Sequence, residues 1–383
     1  MSTKSLAIPN KIRTRGFEEK FRRLLQLADV ELNGNRPWDI RVHDPRFYAR
    51  VFADGALGLG ESYMDEWWDC EQLDEFVHRV LWARVHTTIK PWKEALDRIR
   101  AKVLNLQNQA RAYDVGRRHY DIGNELYERM LDKRMLYSCG YWKNATTLDE
   151  AQEAKLDLVC RKLRLAPGMK VLDIGCGWGG AARFVAERYR VDVVGITVSE
   201  RQASRARELC QGLPVEIYLQ DYRAIQGRFD RAFSLGMFEH VGHKNYGTYM
   251  HLVSQHLNEE GIFVLQTVGA NDTDTTGNLW AERYIFPNSM LPSAQQIAVA
   301  IEGRFVLEDW QNFGPDYDTT LMHWFKNFHQ SWETLKDNYD DRFYRMWKYY
   351  LLSFAGAFRA RHNQLWQIVL SPRGGQARYD APR

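Results

Sequence analysis

No run in this chain approaches the ~20 consecutive apolar residues that a membrane-spanning helix needs. The most apolar late segment, 347–358, is too short and carries Lys348. The opening residues also lack the apolar core of a secretory signal. The expectation is a soluble cytoplasmic protein that touches a membrane only peripherally. Cysteine is sparse: Cys70, Cys139, Cys160, Cys176 and Cys210 are odd in number and show no paired ligand spacing. That pattern argues against a disulfide framework and a zinc site and suits reduced thiols. Excess charge is small as well, 52 Lys and Arg against 49 Asp and Glu giving +3, so the totals imply no nucleic-acid partner. Internal repeats and low-complexity tracts are absent.

Aromatic surface, by contrast, is plentiful. Thirteen Trp and an aromatic content of 13% must be buried or turned toward an apolar ligand. At 383 residues the chain can hold two domains, one large enough for a full α/β core. Residues 1–16 read as polar, basic and loose. Helical patterning follows at 17–27, 46–52 and 72–85, with Gly58-Leu-Gly-Glu-Ser-Tyr-Met-Asp-Glu-Trp-Trp68 between the last two, and suggests a small helical domain over 1–90. A basic stretch over 91–118 reads either as a solvated helix face joining two domains or as a patch for anionic lipid headgroups.

The remainder, 119–383, reads as an α/β domain. Helices are expected at 123–131, 148–163, 201–210, 246–257, 320–339 and 341–354, and strands at 215–219, 231–235, 261–267, 305–309 and 365–370. Its most informative segment is Val-Leu-Asp-Ile-Gly-Cys-Gly-Trp-Gly-Gly over 171–180. Asp173 ends a short apolar strand, and Gly175, Cys176, Gly177, Trp178 and Gly179 form a tight turn into a helix over 181–189. A second strand follows at 191–197. Strand, glycine turn, helix, strand is the nucleotide-binding half of a doubly wound sheet, where missing Cβ atoms let a ligand approach the backbone. The glycine spacing differs from the NAD fingerprint, and the second strand ends without the acid that holds ribose hydroxyls. Thr197, Ser199 and Gln202 stand there instead, which places S-adenosylmethionine ahead of NAD.

Further segments carry a resemblance: His119-Tyr-Asp-Ile-Gly-Asn124, Met135-Leu-Tyr-Ser-Cys-Gly-Tyr-Trp142, Gly236-Met-Phe-Glu-His-Val-Gly242, Phe313-Gly-Pro-Asp-Tyr317 and Gly356-Ala-Phe-Arg-Ala-Arg361. Together with the 171–180 turn they resemble the cyclopropane-fatty-acid synthase family of S-adenosylmethionine-dependent methyltransferases. The likeness spans nearly the whole chain, including the helical front. It implies a class I methyltransferase, Rossmann-like doubly wound sheet. The implied activity is methyl transfer to a cis double bond of an acyl chain in membrane phospholipid, closing a cyclopropane ring. It further implies a homodimer and a bound bicarbonate that removes the final proton. Carried over, Glu239, Cys139 and Tyr317, with the backbone at Val268, would hold the bicarbonate. Tyr137 and Ser138 would approach the methionine carboxylate of the donor, and Gly175 to Gly179 its amino-acid and ribose portion. Thr197 and Gln202 suit the ribose hydroxyls, and Gln220 and Asp221 the adenine edge. Tyr141, Trp142, Phe238, Tyr246 and Tyr317 are candidates to face a carbocation formed on the acyl chain.

Two positions depart from the family. Gln266 stands where relatives have histidine in the bicarbonate site, and an amide can donate a hydrogen bond but cannot carry charge or relay a proton as imidazole does. A weakened bicarbonate site is expected, with slower turnover or a methyl-branched or methylenated product. Phe354 stands where many relatives have a cysteine, so no nucleophile can act from that position. A reading of another class is a lipid-binding protein that has lost catalysis; Glu239, Cys139 and the intact donor motif argue against it.

Overall fold

The computed structural model describes residues 10–88, 123–274, 277–373 and 378–383. The basic stretch 91–118 and the first residues of the 119–124 motif lie outside the described residues. Two short strands, β1 (Arg41–Val42) and β2 (Trp68–Asp69), pair antiparallel at the front. The main sheet has seven strands: β3 (Lys170–Ile174), β4 (Asp192–Thr197), β5 (Val215–Leu219), β6 (Phe229–Leu235), β7 (Leu257–Ala270), β8 (Phe305–Asn312) and β9 (Asn363–Pro372). Their order is β5-β4-β3-β6-β7-β9-β8. Strands β3 to β7 pair parallel, and β9 enters antiparallel between β7 and β8. Central strands such as β3, β6 and β7 read as near-continuous apolar runs because helices cover both faces. This is the α/β doubly wound sheet that the sequence implies.

The chain winds outward from β3 to β5, then returns to the other side of β3 to lay down β6 and β7. The order reverses at the carboxyl end of β3, the crevice where open α/β sheets bind ligands. The glycine turn sits there. Gly175 has φ 89°, and a Cβ on it would lie 2.8 Å from Met237. The turn feeds the helix Gly180–Tyr189.

Several boundaries differ from the sequence reading. The first helix begins at Asn10, not Phe17. The glycine-rich 58–68 segment is mostly helical: Arg46–Met64 is one helix kinked at Gly55. Its glycines serve packing, for a Cβ on Gly60 would lie 2.4 Å from the buried Trp280 ring. The expected helix over 320–339 begins earlier, as Gly314–Gln330, and breaks before the short turn Trp332–Leu335. Pro315 accounts for the early start, since proline fits the first turn of a helix. Asp341–Arg359 runs a turn longer than read. Two short helices, Leu279–Tyr284 and Ala294–Ile301, carry no amphipathic signal long enough to detect.

The front helices share one apolar cluster with the late ones: Phe47, Tyr63, Trp68 and Phe76 join Trp280, Trp324, Trp347 and Tyr350. Ion pairs rim the seam, Arg342 to Asp65, Arg345 to Asp69 and Arg359 to Asp74. Among the described residues no helix is long and apolar enough to cross a membrane.

Glycine positions separate helix propensity from packing. Gly16 lies in the first helix with open space around a Cβ. Gly16→Ala is therefore expected to stabilise by ~0.5–1 kcal/mol, while Gly60→Ala, pressed on Trp280, should destabilise by ~1–3 kcal/mol. Urea denaturation of both variants checks the opposite signs.

Candidate active site

A cavity of about 230 Å³ opens at the carboxyl end of β3. Of the expected donor residues, Tyr137, Ser138, Asp173, Gly175, Cys176, Gly177, Trp178, Thr197, Gln202, Gln220 and Asp221 line it. Gly179 and Ser199 do not. Gly179 packs on Ala206, and Ser199 caps the helix Glu200–Leu209, its hydroxyl accepting from the Gln202 amide. A Cβ on Gly177 would meet no protein atom within 4 Å, so the turn leaves open a cradle that a side chain would fill. The Thr197 hydroxyl donates to Gln202 Oε1 at 2.9 Å, which leaves the Gln202 amide nitrogen as the donor for a ligand. Asp221 is partly committed, accepting from the Arg223 amide and guanidinium at 2.9–3.1 Å.

Glu239, Cys139, Gln266 and Val268 do not line this cavity; Tyr317 does. Tyr317 lies in the electrostatic field of both the Cys139 thiol and the Glu239 carboxyl. Glu239 is placed by the sheet itself. Pairing of β6 with β7 ends at Leu235 and Gln266. Beyond it, the Gly236 amide donates to the Gln266 carbonyl, and the Val268 amide donates to Glu239 Oε1 at 2.6 Å. Glu239 thus stands in for the neighbour that the β7 edge loses when β6 stops. Its other oxygen, Oε2, is buried without a hydrogen-bond partner. Burial raises the Glu239 carboxyl to about 7, against the lowering pull of the Val268 amide and Thr267 hydroxyl.

The Cys139 thiol donates to the Gly140 carbonyl and lies 3.7 Å from Thr320 Oγ1. Burial pushes it well above the ordinary thiol range, so it is a neutral group. Burial acts likewise on the Tyr317 phenol. Gln266 accepts from Gln367 Nε2 through Oε1 at 2.9 Å, and its own Nε2 is buried without a partner. Beside these neutral donors, two of the expected bicarbonate-site residues each hold a buried polar atom unsatisfied in the protein, Glu239 Oε2 and Gln266 Nε2. Such a donor set suits a small oxyanion.

Of the five aromatics expected to face a carbocation, only Tyr317 lines the cavity. Trp142 stacks on His323 at 4.5 Å, Phe238 stacks on Tyr246 at 4.3 Å, and Tyr141 packs edge-on to Phe313. Tyr137 and Phe286 line the cavity instead, with Phe354 packed 6.2 Å behind Phe286. Sequence reasoning missed Phe286, and it missed three polar residues that hold the site. Thr320 accepts from the Gly140 amide and Trp142 Nε1, tying the 139–142 loop to the helix Gly314–Gln330. Gln367 fixes the Gln266 amide, and Lys155 stands behind Ser138. Each is a polar residue in an otherwise apolar strand or helix face, which is the signal that could have found them.

The sequence model of the mycolic acid cyclopropane synthetase family matches residues 107–368. The chain belongs to that family. It is 54% identical over 349 residues to the cyclopropane-fatty-acyl-phospholipid synthase of Escherichia coli strain K12, covering 91% of each chain. It is 36% identical over 277 residues to a probable fatty acid methyltransferase of Pseudomonas putida, 69% of this chain and 70% of that one. Among solved structures it is similar to the cyclopropane synthase MmaA2 from Mycobacterium tuberculosis (TM-score 0.64, 28% identity, 68% of this chain and 98% of that chain). The mycolic acid cyclopropane synthase CmaA1, complexed with SAH and CTAB, is similar too (TM-score 0.63, 29% identity, the same coverage). The fold is that of class I methyltransferases.

Glu239 carries its proton at neutral pH only because it is folded. Below about pH 4.5, its ordinary value, folded and unfolded chains both hold the proton and burial costs nothing extra. As pH rises toward 7 the unfolded chain ionises first, and the native state loses roughly 3 kcal/mol. Thermal melts of Glu239→Gln should gain on the parent between pH 5 and pH 8. An offset equal at both values would refute the assignment.

Proposed function

We propose that the protein transfers a methyl group from S-adenosylmethionine to the cis double bond of unsaturated acyl chains at a phospholipid surface, closing a cyclopropane ring. The observation that carries this reading is the glycine-cradled cavity at the carboxyl end of β3, whose wall includes Tyr317, a buried phenol in the electrostatic field of Glu239 and Cys139. The 54% identity to a cyclopropane-fatty-acyl-phospholipid synthase supports the same substrate class.

When bound, the donor supplies an electrophilic methyl group, and bicarbonate would supply a base held by Glu239, Cys139, Gln266, Tyr317 and the Val268 region. The chain's own residues do the rest. An alkene is a weak nucleophile, so alignment between the cavity walls must provide much of the rate; effective molarities allow ~7–11 kcal/mol from this source. Tyr137, Phe286 and Tyr317 present aromatic faces to a cation on the acyl chain, each worth ~0.5–2 kcal/mol without capturing it. Cys139 is protonated and Phe354 has no nucleophilic atom, so covalent capture by the protein is disfavoured. Glu239 Oε1 accepts from Val268, which leaves Oε2 to hold or release a proton near neutral pH.

Gln266 favours a second reading with the same donor and substrate but a methyl-branched or methylenated product. Its amide donates to an oxyanion but relays no proton. The two are separated by expressing the chain in a bacterium lacking its own synthase and chromatographing the fatty-acid methyl esters. Cyclopropane esters are expected, with Gln266→His raising their yield several-fold. Ring-free branched products would overturn the first reading.

A further inference from the structure

Lys155 is a fully buried lysine that neither the family resemblance nor the reaction scheme above uses. It rises from the middle of the helix Leu148–Lys162, in line with Ala151 and Val159 on the buried face. Its Nζ donates to Ser138 Oγ at 2.9 Å. One turn earlier, Gln152 Nε2 donates to the Ser138 carbonyl at 2.6 Å and to the Leu136 carbonyl at 3.3 Å. The helix thus grips Ser138 by both its backbone and its hydroxyl. Ser138 lines the cavity at the end of β3, as does Asp173.

An ammonium can only donate, so the Ser138 oxygen must accept from Lys155. The single hydroxyl proton of Ser138 is then directed away from Lys155, and the open side of Ser138 is the cavity. A hydroxyl fixed as a donor, with a cation directly behind it, is matched to a carboxylate. Asp132 and Asp173 share the field of Lys155. Asp132 already accepts from the Leu136 and Arg134 amides, while burial raises Asp173 to about 8 and so keeps it largely uncharged at neutral pH. Asp173 thus offsets little of the lysine's charge, and Asp132 offsets part of it.

We propose that Lys155 is a positioning residue for the carboxylate of the methyl donor, acting through Ser138: it commits the serine proton to the cavity and supplies counter-charge behind it. The inference rests on reading the cavity as the donor site. Its test measures binding, not turnover, by calorimetry of the full chain with two probes. S-Adenosylhomocysteine carries the carboxylate, and its decarboxylated analogue keeps the adenosine, sulfur and ammonium without it.

Lys155→Met should weaken S-adenosylhomocysteine about ten-fold, the worth of one hydrogen bond to a charged group, and shift the decarboxylated analogue by less than about two-fold. Ser138→Ala should do the same, and the double variant should lose little more than either alone, because both act on one contact. Equal losses for the two probes, no loss, or additive losses would overturn the proposal. If Lys155→Met does not fold, Lys155→Gln, which keeps a neutral donor, is read with the same pair of probes. A parent protein that binds neither probe would instead remove the donor-site reading itself.

Discussion

The site depends on a mismatch in strand length. Strand β7 continues past the end of β6, and the backbone donors along the edge that β6 leaves need other partners, since an N–H shut away from water without one is costly. Glu239 takes the Val268 amide, and farther along the Pro292 carbonyl takes that of Ala270. A carboxyl group enlisted to complete a sheet commits one oxygen to the backbone and leaves the other without a partner. The same burial that makes the amide need a partner keeps the carboxyl near neutrality.

The polar groups beside it are neutral for the same reason. Desolvation holds the Cys139 thiol and Tyr317 phenol in their protonated forms, and Gln266 has no charge to give. A pocket of this kind can solvate an oxyanion without presenting a strong nucleophile to a cation, which matters when the reacting species would alkylate any anionic side chain within reach. The amide orientation at Gln266 is set by the cross-strand partner Gln367, in register with it on β9. The antiparallel insertion of β9, the strand that distinguishes this sheet from a dinucleotide fold, thus fixes the Gln266 side chain.

Much of this was legible in the chain. The glycine turn announced the crevice, because four closely spaced glycines after an apolar strand have few other uses, and most of the residues expected to hold a donor line the cavity there. Glu239 was legible from its place just beyond β6. The aromatics were not. In the sequence Trp142, Phe238 and Tyr246 are as plausible as Phe286, and only tertiary packing decides which rings line the cavity and which stack on one another. The helix through Gly58 and Gly60 was hidden because glycine's low helix propensity gives no hint of the indole that requires it. Lys155, Thr320 and Gln367 went unseen because a periodicity argument discards isolated polar residues as solvent-facing, whereas here burial is their function.

The seam between the front helices and Trp280 has a practical corollary. Gly60 admits that indole so closely, and Tyr349 and Met64 enclose it so fully, that residues 10–88 act as a lid on the apolar side of the larger half. Cut away, they would leave a broad greasy scar of tryptophan and tyrosine. The methyltransferase portion is therefore not a detachable cassette, and recombinant fragments begun after the front helices would be expected to clump during purification.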